Sequence, residues 1–274
     1  MRSLRPTALG LVALVSLSGC AFLPTQRLEF ASTEDVAITE IKIVPGSGDI
    51  TVRTGDVSTV RINALARYRG QEPDEVHRIE DKTLVLYSGC GRRCSASFDI
   101  LAPAGVAIRG EHASGDVTLT GVSTVQLTGG SGSITATRAT GPVTVETGSG
   151  DITVRDAHGS VTARTGSGDI TLSRLAGPVS AQTGSGDIIG TELRGGEVTT
   201  TTGSGDIELS LDAPSDVRAD ATSGSIELVV PDQSYRLHAS TLSGAKELHV
   251  RADPHAEHQL DLRTQSGDII VRAR

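Results

Sequence analysis

Along residues 141–155 apolar and polar side chains alternate strictly. Val143 and Val145 share one face and Thr144 and Glu146 the other; after a glycine-rich break, Ile152 and Val154 oppose Thr153 and Arg155. Alternation with period two marks a strand buried on one face only. The segment therefore predicts a first strand over 142–146, a corner over 147–150 and a second strand over 151–155. The same inward set returns as Val161 and Ala163 with Ile170 and Leu172, as Val179 and Ala181 with Ile188, and as Ile207 and Leu209. The corner returns with it: TGSGDI begins at Thr147, Thr165, Thr183 and Thr202, so successive copies stand 18, 18 and 19 residues apart. Weaker copies read SGDV at Ser114, SGSI at Ser131 and Ser223, SGAK at Ser243 and SGDI at Ser266. An antiparallel meander with GSGD hairpin loops would also alternate, but it has no need of identical corners in identical register. Stacked coils do, because each residue then lies on its own kind. The predicted fold is all-β: a single-stranded parallel β-solenoid or β-helix with two short strands per coil of about 18 residues, right-handed by the crossover preference of parallel strands.

Ahead of the repeats, which span 111–274, residues 36–110 read as an irregular β capping region. Strands are predicted at 41–44, 50–53, 59–68 and 83–87, a polar excursion at 69–78, and strand, turn, strand over 98–109 with Pro103, Ala104 and Gly105 as the turn. Residues 20–35 carry no strong pattern and predict a tether. Upstream, Arg2 and Arg5 precede an apolar run over 8–17 that is too short for a stable membrane span. The run ends in Leu17-Ser18-Gly19-Cys20, which resembles a bacterial lipobox. The resemblance implies a lipoprotein signal peptide over 1–19, lipidation of Cys20, and a mature chain anchored by lipid at the extracytoplasmic face of the cell membrane.

Composition fits an exported β protein, with 32 Gly, 3 Phe, 3 Tyr and no Trp. Loss of Arg2 and Arg5 with the leader takes the formal charge from −8 to −10. An acidic chain without basic runs argues against a nucleic-acid partner and against a polybasic membrane footprint. Cys90 and Cys94, in GCGRRCS, predict a small-loop disulfide in an oxidising compartment, pinning a turn.

The corners carry the repeated chemistry. Gly148 and Gly150, with their counterparts Gly166 and Gly168, Gly184 and Gly186, and Gly203 and Gly205, supply either positive φ or close backbone approach where the chain turns. Asp151, Asp169, Asp187 and Asp206 are expected to accept backbone N–H groups as Asx-type turns. Stacking at ~4.8 Å brings these carboxylates together, at a repulsion on the order of 1 kcal/mol per pair in water. Either N–H groups or a cation must offset it. Calcium is the alternative, but the opposite half of each coil reads AGPV or HGSV and offers no matching ligands. Ser149, Ser167, Ser185 and Ser204 have no partner base within their repeats, so they are corner residues, not nucleophiles. His255 and His258 with Glu257 form too small a ligand set for a metal reading. No catalytic motif, metal or cofactor is expected.

The V-x-V-x-T-G-S-G-D-I-x-V units, the early GSGDI over 46–50 and DILAPAGVAI over 99–108 together resemble the DUF4097 family of candidate adhesins, a β-strand repeat family similar to pectate-lyase-like β-helices. The likeness covers about residues 36–274. It implies the solenoid fold and an adhesive role, and brings no catalytic residues with it. The expected function is a non-catalytic, lipid-anchored cell-envelope module, an adhesin or scaffold contacting cell-wall glycan or an envelope protein. The alternatives are a polysaccharide-active β-helix enzyme and a calcium-loaded structural solenoid.

Overall fold

The computed structural model describes residues 24–274; the leader and Cys20 lie outside the described residues. Every described element is a strand. Two thirteen-stranded sheets run the length of a stack of coils, and each regular coil gives one strand to each sheet. In the coil 143–155 these are Val143–Ser149 in what we call the first sheet and Ile152–Arg155 in the second. The register between coils keeps like on like. Val125, Val143, Val161, Val179, Val198 and Val217 form one column, and Ile134, Ile152, Ile170, Ile188, Ile207 and Ile226 another. Both columns are buried, and lining one aliphatic residue above another fills the seam at constant strand spacing.

The first strand is longer than the alternation of apolar residues predicts. It continues through Thr147, Gly148 and Ser149, so the corner shrinks to Gly150 and Asp151. Thr147 continues the inward alternation and is buried. A third inward position closes the far edge of the seam: Ala139, Ala157, Leu175, Leu193 and Leu211 are all buried there. Just before these residues the return turn enters the left-handed region at Arg138, Asp156, Arg174 and Glu192, with φ of 56°, 55°, 53° and 53°.

The ends depart from sequential stacking. The capping region contains two ordinary coils. Coil 40–55 lies directly on coil 107–120, and coil 83–103 lies outside it. Beyond that, strand Val60–Tyr68 runs antiparallel to Cys94–Pro103, and strand Gln26–Glu34 runs antiparallel to Val60–Tyr68. Most of the stretch expected as a tether, 20–35, is therefore an edge strand. Its apolar content, chiefly Leu28 and Phe30, is too sparse to announce it, because only one neighbour and a thin edge of core lie against it. At the other end the coil 259–273 is inserted next to coil 217–230, and coil 234–249 becomes the outermost. Order in space thus differs from order in sequence at both ends.

Candidate functional site

The repeated corner places two glycines, an aspartate and a threonine on each coil, and each faces the neighbouring coil. The second glycine of each corner meets the conformational demand: Gly150, Gly168, Gly186 and Gly205 have φ of 141°, 143°, 139° and 138°. A Cβ at Gly168 would sit 2.3 Å from the Gly150 carbonyl oxygen, and one at Gly205 would sit 2.1 Å from that of Gly186. The first glycine, Gly148, Gly166, Gly184 or Gly203, lies outside the left-handed region, so only close approach requires it there. A Cβ at Gly148 would come within 2.7 Å of the Gly130 oxygen, and one at Gly166, Gly184 or Gly203 within 2.5 Å of the oxygen stacked against it. The sequence left positive φ and close approach as alternatives. The structure assigns close approach to both glycines of a corner and positive φ to the second alone.

The aspartates do not form Asx turns within their own corner. Each lends Oδ1 to the backbone N–H of the next coil. Asp169 N–H donates to Asp151 at 3.0 Å, Asp187 to Asp169 at 2.9 Å, Asp206 to Asp187 at 2.8 Å and Ser225 to Asp206 at 2.7 Å. The ladder extends toward the N-terminal end, with Ser133 N–H on Asp116 and Asp116 N–H on Asp49, and ends at Ala245 N–H on Asp268. At two of the positions that hold serine, the hydroxyl accepts the same bond: Asp49 N–H to Ser97 and Asp268 N–H to Ser225. Strand pairing lapses at the corner, and the carboxylate satisfies an N–H that pairing leaves behind. The mutual repulsion of the carboxylates is offset by these donors.

The inward threonines complete the corner. Thr165, Thr183 and Thr202 each donate a hydroxyl to the carbonyl of Gly150, Gly168 and Gly186 respectively, at 3.0 Å in every case. The opposite edge is held by charge. Arg174 grips Asp156 with two hydrogen bonds of 2.6 and 3.0 Å, which holds the Asp156 carboxyl below the usual carboxylate range. Asp212 is held low in the same way, first by Arg274 and then by Arg194.

Other residues singled out in the sequence are placed as follows. Cys90 and Cys94 are joined by a disulfide at the N-terminal end of the stack. Ser149, Ser167, Ser185 and Ser204 are exposed at the ends of their strands. His258 faces Asp216 at 3.4 Å, while the backbone N–H of His255 caps Asp253. Among the described residues no group of three or more His, Cys, Asp and Glu is gathered closely enough to hold a metal ion.

The Toastrack DUF4097 family model matches residues 106–189 and again 179–272. No curated protein matches the chain. Among solved structures the chain is similar to a candidate cell adhesion protein from Clostridium sporogenes, at 10% identity and TM-score 0.29, over 91% of this chain and 100% of that one. It is also similar to a candidate adhesin from Bacteroides fragilis, at 13% identity and TM-score 0.41, over 89% of this chain and 97% of that one. A third likeness is to a candidate adhesin from Parabacteroides distasonis, at 15% identity and TM-score 0.29, over 90% and 97% of the two chains.

Proposed function

The chain belongs to the Toastrack DUF4097 family, and from that membership we propose that it is a non-catalytic β-solenoid module of the cell envelope, held at the membrane by lipid on Cys20. The observation that carries the reading is the direction of the repeated polar groups. The aspartate Oδ1 and threonine hydroxyl of the TGSGDI corner are turned to backbone atoms of the adjoining coil, so the motif that recurs most is used to hold the stack together. What is left for a partner is the outward face of the first sheet. There Thr144, Thr162, Ser180 and Thr199 form one file, and Glu146, Arg164, Gln182 and Thr201 the next. Polar and charged side chains repeated at ~4.8 Å suit weak, repetitive hydrogen bonding to an extended envelope polymer or to a neighbouring membrane protein.

The test is made in a bacterial host fed an alkyne-tagged fatty acid. The wild-type chain should take up label and Cys20→Ala should not; equal labelling of both, or of neither, would remove the anchor. The same purified chain, incubated with isolated cell-wall glycan, should bind it without releasing reducing ends, and steady release would return the polysaccharide enzyme to first place.

A further inference from the structure

The Cys90–Cys94 disulfide closes the short ring CGRRC between strands Thr83–Tyr87 and Cys94–Pro103. A bridge over a separation of four residues removes little chain entropy from the unfolded state. The turn it spans is also held without it. Cys94 N–H donates to the Gly91 carbonyl at 3.3 Å, Arg69 N–H to that of Arg93 at 3.2 Å, and Ala96 N–H to that of Ser88 at 3.0 Å. Tyr68 pairs with Cys94 across the antiparallel strands. Upstream, Ser88 Oγ donates to the Val44 carbonyl at 3.1 Å, and a Cβ on Gly89 would lie 3.0 Å from the Pro45 oxygen. The backbone therefore holds the two cysteines, 5.2 Å apart at Cα, whether or not their sulfurs are joined.

The bridge is within reach of solutes. Both cysteines are half-buried, and Gly89, Gly91, Arg92 and Arg93 around them are exposed. Cys90 and Cys94 line a cavity of about 850 Å³ with Arg92, Arg93, Glu72 and Asp74. Acids and bases share this lining, so it selects no charge in a ligand. The reactive group is the disulfide itself, and its reaction partner is a thiol. Arg92 and Arg93 have no ion pair among the described residues. Positive groups inside the ring favour thiolate over thiol, the form in which a cysteine leaves a disulfide.

We propose that Cys90–Cys94 is a thiol-exchange site, at which the folded chain takes up one small thiol reversibly as a mixed disulfide. Cys94 is the sulfur attacked, because Cys90 is packed against the core. The incoming thiolate bonds to Cys94 Sγ, the Cys90–Cys94 bond breaks, and the electron pair leaves on Cys90 Sγ, which takes up the proton that the small thiol lost. A second small thiol then attacks the sulfur of the first. Cys94 is released as a thiol and the two small molecules depart as a disulfide. Two thiols are thereby oxidised to one disulfide while the protein disulfide is reduced to two thiols. Since the backbone keeps the pair together, Cys90 reverses the first step by attacking Cys94 Sγ and expelling the small thiol. The exchange is stoichiometric, and it is independent of the lipid anchor and the polymer contact proposed above.

The test uses the full chain with Cys20→Ser, which leaves Cys90 and Cys94 as its only cysteines; mass analysis confirms the bridge beforehand. The probe is 2-mercaptoethanol, an uncharged thiol, in excess and without denaturant. Intact mass should show a species carrying one probe molecule and then the dithiol, forming at a rate proportional to probe concentration. Peptide mapping of an acid-quenched sample should place the probe on Cys94, and a label on Cys90 would overturn that order of attack. Arg92→Gln/Arg93→Gln should react at least about fivefold more slowly than the parent. Arg109→Gln/Arg218→Gln, with the same net charge, should stay within about twofold of it. The reduced chain should melt within about 8 °C of the oxidised one. A rate that does not rise with probe concentration, because reduction waits for unfolding, would overturn the proposal. So would parent-like rates in Arg92→Gln/Arg93→Gln, or a reduced chain that loses its fold.

Discussion

Gly168 and its neighbour Ser167 share a corner and respond to substitution in opposite ways. Valine at Gly168 would need a φ of 143° and would place Cβ 2.3 Å from a backbone oxygen that the next coil holds fixed. Gly168→Val should cost on the order of 3 kcal/mol or more. Ser167 is exposed, and Ser167→Ala should stay within about 0.5 kcal/mol. Denaturant midpoints read both, and equal losses would remove this corner geometry. His112 makes a subtler case. It stands where other coils place the inward threonine, aligned with Gly129, whose missing side chain leaves room for the ring. It is 3% exposed, and neither ring nitrogen makes a well-formed hydrogen bond. Burial pushes its pKa below the ordinary imidazole value, against the weaker opposing pull of Asp49 and of the Gly48 and Ser114 backbone. The unfolded chain therefore takes up a proton at a higher pH than the folded one. Stability is fully present above the ordinary imidazole range, falls as pH drops through it, and levels off below the folded value. His112→Thr should reduce that slope, leaving the share of His77, whose pKa burial also lowers. At alkaline pH it should cost about 1–2 kcal/mol for the space left beside Gly129. Parallel slopes in the two proteins would show that another group titrates.

Along a whole strand the aspartate ladder makes a prediction with its control built into the sequence. Ser97 and Ser225 already accept the bond that aspartate accepts elsewhere, so Asp187→Ser should retain much of the stability that Asp187→Ala loses. The alanine variant leaves the Asp206 N–H without its acceptor, a loss of about 1–2 kcal/mol. Identical melting of the two variants would mean that water replaces the carboxylate. The ladder also shows what the sequence could and could not reveal. The valine and isoleucine columns were legible because burial writes itself into every copy as the same apolar residue at the same offset. The two sheets and the like-on-like register follow from that alone. The partners of Asp and Thr were not legible, since an acceptor one coil away is 18 residues distant and a single-turn reading looks for it within the turn. The glycine pair was half legible: both positions announce a tight corner, but only the backbone shows that Gly205 carries the positive φ and Gly203 does not. The left-handed return at Arg138, Asp156, Arg174 and Glu192 was hidden for a different reason: glycine would normally announce it, and it does so at Gly121, where φ is 74° in the preceding coil.

The whole stack raises the question of why it stops. At the N-terminal end, strands Gln26–Glu34 and Val60–Tyr68 turn antiparallel and close the edge of the second sheet. The C-terminal end has less cover. Coil 234–249 is outermost there, Leu242 is 82% and Leu248 37% exposed, and the edge offers unpaired backbone to another chain. An end of this kind invites a second copy to stack on it, as coils do within the molecule. The column of isoleucines that runs through Ile226 and Ile269 ends here in Lys246. Its ammonium reaches back to the Ala239 carbonyl at 3.4 Å, so a charge lies over the open seam. A coil arriving on top would have to bury that charge without a partner, a penalty of several kcal/mol, comparable with what the apolar surface of Leu242 and Leu248 returns at about 1.5–3 kcal/mol for each fully buried side chain. Lys246→Ile would carry the column to the end and remove the penalty while leaving the folded coil intact. Sedimentation velocity over a concentration series should then show the wild type as a single slow species and Lys246→Ile as a self-associating one, with Lys246→Glu behaving as the wild type. If Lys246→Ile sediments as the wild type at every concentration, the charge is not what terminates the stack, and the short strands Lys246–His249 and Arg251–Ala252 must close it by shape alone.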